Sequence, residues 1–143
     1  MSESKIHSAL VSAYIASGVM PAARTAFEDK GIDGKDFTPP QGESWARIRT
    51  VPTDRGPAAQ GSGAAQEWRG YLEVMLFYPK GAGPFPALAD VDKALAYFYS
   101  GKHLDYQGQG VLIRRAERSQ IRQEDVWQSV SVSVYCTAWS FPA

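Results

Sequence analysis

A chain of 143 residues is long enough for one domain that buries roughly 68–70% of its unfolded surface, so its core needs no covalent staples. Fifteen basic and fifteen acidic side chains cancel, which removes any whole-molecule field towards nucleic acid or anionic lipid and points to a protein partner or a neutral ligand. Cys136 is the single cysteine, which excludes a disulfide within the chain, and no apolar run approaches the ~20 residues of a membrane helix.

The N-terminus lacks the basic and apolar regions of a signal peptide, so the expectation is a protein that is intracellular when made. Ser2 or Ser4 can cap a first helix that runs to about Ser17, with Ile6, Leu10, Ala13 and Tyr14 at helical spacing and Gly18 and Pro21 ending it. From Pro21 to Gln41 the pattern is weak. Thr25, Ala26 and Phe27 can start a short strand, and Gly31, Gly34, Pro39 and Pro40 mark irregular chain. Trp45 to Val51 alternates Trp, Arg, Arg and Val against Ala, Ile and Thr, and Pro52 closes it, which reads as a strand. The connection from Thr53 to Gln66 carries Gly56, Pro57, Gly61, Ser62 and Gly63 and no large apolar side chain. With nothing to anchor it, it is expected to be mobile in an isolated subunit.

Glu67 to Tyr78 forms the next strand, with Trp68, Leu72, Val74, Leu76 and Tyr78 on one parity and Arg69, Tyr71, Glu73, Met75 and Phe77 on the other. Pro79, Gly81, Gly83 and Pro84 end it. A second helix is expected from about Pro86 to Tyr99, its apolar stripe made by Leu88, Val91, Leu95 and Phe98 and its stop by Gly101. Gly108 and Gly110 lead into a strand from Val111 to about Ala116, followed by a charged turn of Glu117, Arg118, Arg122, Glu124 and Asp125. The last stretch, Val126 to Trp139, carries Val126, Val130, Val132, Val134, Cys136 and Ala138 on one parity and Ser129, Ser131, Ser133 and Thr137 on the other. A one-residue slip would put the valines in water, so its register is well specified, and a ribbon of this kind belongs inside a sheet rather than at a bare edge.

This order predicts a single α+β domain over the whole chain: a mainly antiparallel sheet of four to five strands with two helices packed on one face. At ~4.8 Å per strand the sheet is about 20–24 Å wide, and two helices ~10 Å across cover one side of it. The other side has no helix left to cover it. There lie Tyr71, Met75, Phe77, Trp127, Tyr135 and Trp139 among Arg69, Glu73 and serines, the composition of a protein interface. The plainer reading is a solvated antiparallel sheet face that tolerates scattered aromatics.

Residue types that carry chemistry are present but not assembled. His7 and His103 lie on a predicted helix and in a predicted loop, without HxxxH, HxH or CxxC spacing, so no metal site is expected. The acid pairs Glu28 and Asp29, Asp90 and Asp92, and Glu124 and Asp125 have no adjacent base or nucleophile. Gly81 to Pro86 follows a strand with Lys80 nearby, yet matches neither GxxxxGK[ST] nor GxGxxG, and its prolines remove backbone donors. No GxSxG elbow occurs. Arg114, Arg115, Arg118 and Arg122 form the one basic cluster, with Glu117 among them, and a sheet-edge cluster of this kind is usually solvated or paired. No catalytic residue, cofactor or metal ligand is assigned.

The order of elements resembles the tail terminator (tail completion) proteins of long-tailed bacteriophages. The resemblance rests on the N-terminal helix, the Phe37-Thr38-Pro39-Pro40 turn, the Trp45 to Pro52 strand with its long Gly/Ala/Gln loop, and Trp68-Arg69-Gly70-Tyr71 opening the next strand. The Tyr78-Pro79-Lys80-Gly81-Ala82-Gly83 turn, Gly110-Val111 before an arginine-bearing strand, and the closing Trp127 to Tyr135 strand complete it. The tract from Ala22 to Asp36 departs from the pattern. The resemblance implies a structural virion protein of the tail, assembled in the host cytoplasm and not enzymatic. Such proteins form hexameric rings that cap the tail tube, end its polymerisation and meet the head-tail connector of the neck, with DNA only as cargo. Beside it, the sheet-face reading leads to the hypothesis that Arg69, Tyr71, Met75, Phe77, Trp127 and Tyr135 contribute to the ring or tube contact, and that the 53–66 loop orders on the tube or a neighbour with Arg55 as its charged anchor. Another neck or minor tail component has the same architecture. A small α+β enzyme or ligand-binding domain would instead need a polar pocket, for which His103 and Asp105 are the candidates.

Overall fold

The computed structural model describes residues 3–28, 30–57 and 66–140. Helix α1 spans Glu3–Ser17 and buries Ile6, Ala9, Leu10, Ala13 and Tyr14, the face that helical spacing predicted. The proposed cap at Ser2 lies outside the described residues. A 3-10 turn at Ala22–Arg24 leads into strand β1, Thr25–Phe27, which pairs parallel with β2, Trp45–Pro57. Strand β3 is Gln66–Pro79, helix α2 is Phe85–Tyr97, and strands β4 to β7 follow at His103–Tyr106, Gln109–Arg118, Arg122–Gln123 and Trp127–Ser140.

The seven strands make one sheet in the order β1-β2-β3-β7-β5-β4, with β6 pairing β7 off this path. All pairings except β1 with β2 are antiparallel. The sheet is wider than the four to five strands expected, because β4 and β6 are only four and two residues long, too short for a period to stand out in the sequence. His103 therefore stands on an edge strand rather than in a loop, and the charged turn contains β6. The closing Val/Ser strand is interior, between β3 and β5. Its valines from Val130 onward, with Cys136 and Ala138, are buried, but Val126 is exposed because it precedes the strand.

Two further expectations are corrected. Pro52 does not end β2: it stays in register opposite Gly70, a register shift between Pro52 and Asp54 leaves Thr53 as the extra residue of a bulge, and pairing resumes through Pro57 opposite Gln66. Residues 53–57 are thus strand, while the rest of the expected mobile loop, 58–65, lies outside the described residues. Helix α2 buries Val91 and Phe98 as expected, but the inward face is rotated towards Ala87 and Ala94, which are buried, while Leu88 and Leu95 flank them half-buried. Small residues let the helix backbone lie close to the sheet, and the leucines fill the sides.

The even-numbered side chains of β3 and β7 form the core with both helices. Helix α1 meets both ends of the strand order. Its Tyr14 hydroxyl is 2.8 Å from Thr25 Oγ1 on β1, and Lys5 Nζ donates to the Gln107 carbonyl beyond β4 at 3.4 Å. A sheet whose opposite edges touch one helix must curl around it, so the domain is a half-barrel with the helices in its trough. The helix-free face is therefore the convex outside.

Candidate assembly face

Strand register arranges the convex face in rows. Glu67 pairs with Trp139, Arg69 with Thr137, and Thr137 with Leu112 on β5. Val51, Tyr71, Tyr135 and Arg115 form the next row, then Arg49, Glu73, Ser133 and Glu117. Arg47, Met75 and Ser131 follow, and Trp45, Phe77 and Ser129 close the far end beside Trp127.

The predicted face residues come together on this one surface, but they do not share one role. Tyr71 and Tyr135 are half-buried, with ring centroids 5.4 Å apart at mid-sheet. Met75 is also half-buried and accepts a contact from Arg47 Nη2 at 3.0 Å to its sulfur. Arg69 keeps 58% of its side chain exposed and pairs through Nε with Glu67. Phe77, by contrast, is only 5% exposed, because Trp45 stacks on it at 4.1 Å and 9° between ring planes. Trp127 meets Trp45 edge-on at 6.0 Å, and the Phe37 ring lies 5.5 Å from that of Trp45. Phe77 is therefore the floor of an aromatic cluster whose half-buried outer member is Trp127. The backbone of Arg55 pairs with Trp68, and its side chain is outside the described ones.

Sequence periodicity missed three contributors. Trp45 and Arg47 belong to β2, whose alternation is visible in the sequence but does not say which parity joins the face. Arg114 needs more than periodicity: strict alternation would aim it away from Arg115, but a register shift between Ile113 and Arg115 leaves it as an extra residue. Its Nε donates to Thr137 Oγ1 at 3.0 Å, which brings both arginines to the convex side.

Elsewhere the chemistry stays dispersed. Cys136 is buried, and burial pushes its thiol up to about 12, so at neutral pH it packs as a small hydrophobe near the Gly70 carbonyl. His103 and Asp105 are both exposed on β4 and border a recess of about 580 Å³ with Gln109, Leu112 and Trp139. Asp105 Oδ1 accepts the Gly108 amide at 3.2 Å, a turn-closing bond. Among the described residues no three His, Cys, Asp or Glu side chains gather into a metal-binding group.

Fold and face together define a class: a small α+β half-barrel with two helices inside and a broad aromatic and arginine-bearing sheet surface outside. Residues 5–135 match the family described as phage tail terminator protein, and the chain belongs to that family of structural, non-enzymatic proteins of tail assembly. A solved structure that carries no functional name has the same fold, at TM-score 0.75 and 22% identity, covering 100% of this chain and 99% of the other. Curated proteins yield no match.

Proposed function

We propose that the protein acts as a ring, six copies by the family resemblance, that caps the tail tube, ends its polymerisation and offers its other side to the neck connector. The observation that carries this reading is the helix-free convex face with half-buried Tyr71, Met75, Trp127 and Tyr135 beside Arg69. Aromatic residues and arginine are the types that dominate binding energy at protein contacts. A ring also requires two different patches that complement each other by rotation, and a single sheet with unlike ends, β1 and β4, supplies unlike surfaces. Arg55, on the β2–β3 hairpin, is a further contact in this proposal, and DNA passes through the ring only as cargo.

The test is the mass of the purified chain by light scattering, with negative-stain images of the particles, followed by growth of tail tubes with and without it. Closed rings of about six subunits and tubes of limited length are expected. A chain that stays monomeric at all concentrations and leaves tube length unlimited overturns the reading, and an unaltered tube length with Arg55→Glu removes that residue from the contact.

A further inference from the structure

The convex face is not uniformly aromatic. Where β3, β7 and β5 run side by side, an open recess of about 410 Å³ is bordered by Arg69, Arg114, Arg115, Tyr135 and Thr137. Two consecutive arginines reach the same recess only because of the bulge in β5. Each is held by an aromatic ring: the Arg115 guanidinium carbon lies 4.4 Å from the Tyr135 centroid, and that of Arg114 lies 5.6 Å from Trp139. Stacking on a ring and the Arg114 bond to Thr137 occupy one face and one edge of these groups. The remaining edges of their forks are left for a ligand.

Charge bookkeeping favours an anion there. Arg69 has Glu67, and Arg115 has Glu117 only at 4.0 Å with both side chains more than half exposed. Among the described side chains no carboxylate pairs with Arg114. A planar, oriented guanidinium matches a carboxylate two bonds at a time, which a lysine ammonium cannot do.

Resting on the reading of this face as an assembly surface, we infer that the Arg69, Arg114 and Arg115 recess receives carboxylates of a protein partner, an exposed segment carrying at least two aspartates or glutamates. A continuous polyphosphate is the poorer fit. Glu67 and Glu117 flank the recess and would repel it, whereas a discrete carboxylate lies between them, and the chain's zero net charge supplies no field to hold nucleic acid.

The experiment is fluorescence anisotropy of a labelled hexaglutamate peptide titrated with the purified full chain, with a hexaglutamine peptide and a DNA duplex of about 20 base pairs alongside. Binding of the glutamate peptide alone is expected, weakening as salt rises past the level where exposed charges are screened. Arg114→Gln and Arg115→Gln should each weaken it by about tenfold, and Arg114→Lys should retain part of it, since charge survives but the fork does not. Circular dichroism checks that each variant folds, and the two glutamine variants report on the recess independently. The inference is overturned if the glutamate peptide binds no better than the glutamine one. It is equally overturned if folded variants bind unchanged, or if the duplex binds more tightly and loses affinity with the same substitutions. Ring mass of the unsubstituted protein is read separately, so a failure here with intact rings removes the recess alone, and binding without rings removes only the ring.

Discussion

Gly70 stands on the inward parity of β3 between Trp68 and Leu72, where a side chain would be expected. The Trp68 indole occupies that space instead: a Cβ at Gly70 would lie 2.6 Å from a Trp68 ring carbon and 2.6 Å from the Val51 carbonyl oxygen. The Val51 oxygen belongs to the paired strand backbone, so it cannot swing away as a flexible side chain would. Gly70→Ala should therefore push β2 and β3 apart or dislodge the buried indole, at a cost of about 1–3 kcal/mol. A fall in the urea midpoint at unchanged denaturant slope is the expected reading, and an unchanged midpoint would show that the indole has room to move. At this scale much was legible. Trp68-Arg69-Gly70-Tyr71 was singled out in the sequence as a strand opening, and alternation placed Leu72, Val74, Leu76 and Tyr78 in the core, where they are. What alternation could not convey is that an inward glycine is the seat of its neighbour's ring, since that contact runs along the strand, whereas alternation describes only the two faces across it. Arg114 escaped for a related reason: a bulge is one unpaired residue, and no periodicity encodes it.

Helix α2 shows how a correct element can be given a face rotated from the true one, since Val91 and Phe98 are buried as expected but Leu88 and Leu95 are only half-buried. Apolar bulk made Leu88, Val91, Leu95 and Phe98 the expected stripe, but close docking selects Ala87, Val91 and Ala94 and leaves the larger leucines at the flanks. Position is fixed by a polar contact as well. The Tyr78 hydroxyl donates to Asp90 Oδ2 at 2.6 Å, and burial together with that bond holds the phenol in its protonated form far above the usual tyrosine range. The bond fixes how far the helix can rotate, and hence which residues face the sheet. Enlarging the buried small residue should then hurt more than trimming the larger flanking one. Ala94→Leu is expected to cost about 1–3 kcal/mol by overpacking, and Leu88→Ala about 1 kcal/mol, since only part of that leucine leaves contact with the protein. Comparing the two thermal midpoints decides it, and a larger loss for Leu88→Ala would restore the stripe read from the sequence. The hairpin of β2 and β3 carries the same lesson in reverse, because Pro52 looked like a terminus and instead stands beside a bulge at Thr53 inside a longer strand.

At the scale of the molecule, the class and layering were legible while the curvature was not. Two amphipathic helices and several alternating strands imply helices on one sheet face and a free opposite face. Curling arises from contacts far apart in the chain, Tyr14 with Thr25 at one sheet edge and Lys5 with Gln107 near the other. No local pattern reports such a closure, yet it decides which surface projects outward for other molecules to meet. Two exposed regions then compete for the assembly contact: the convex rows around the Tyr71–Tyr135 pair, and the helix side, where Phe85 is 78% exposed. A carboxylate introduced at a contact must be desolvated without a partner, whereas the same carboxylate on a free surface stays hydrated at little cost. Tyr71 is half-buried and Phe85 is exposed, so Tyr71→Glu and Phe85→Asp can each be made without opening the core. If the convex face is the assembly surface, Tyr71→Glu gives a folded monomer that no longer limits tube length, and Phe85→Asp leaves ring mass and tube length as they were. Sedimentation beside a tube-length count reads both variants in one series. The opposite result, rings surviving Tyr71→Glu and lost with Phe85→Asp, would place the contact on the helices and leave the sheet surface to solvent.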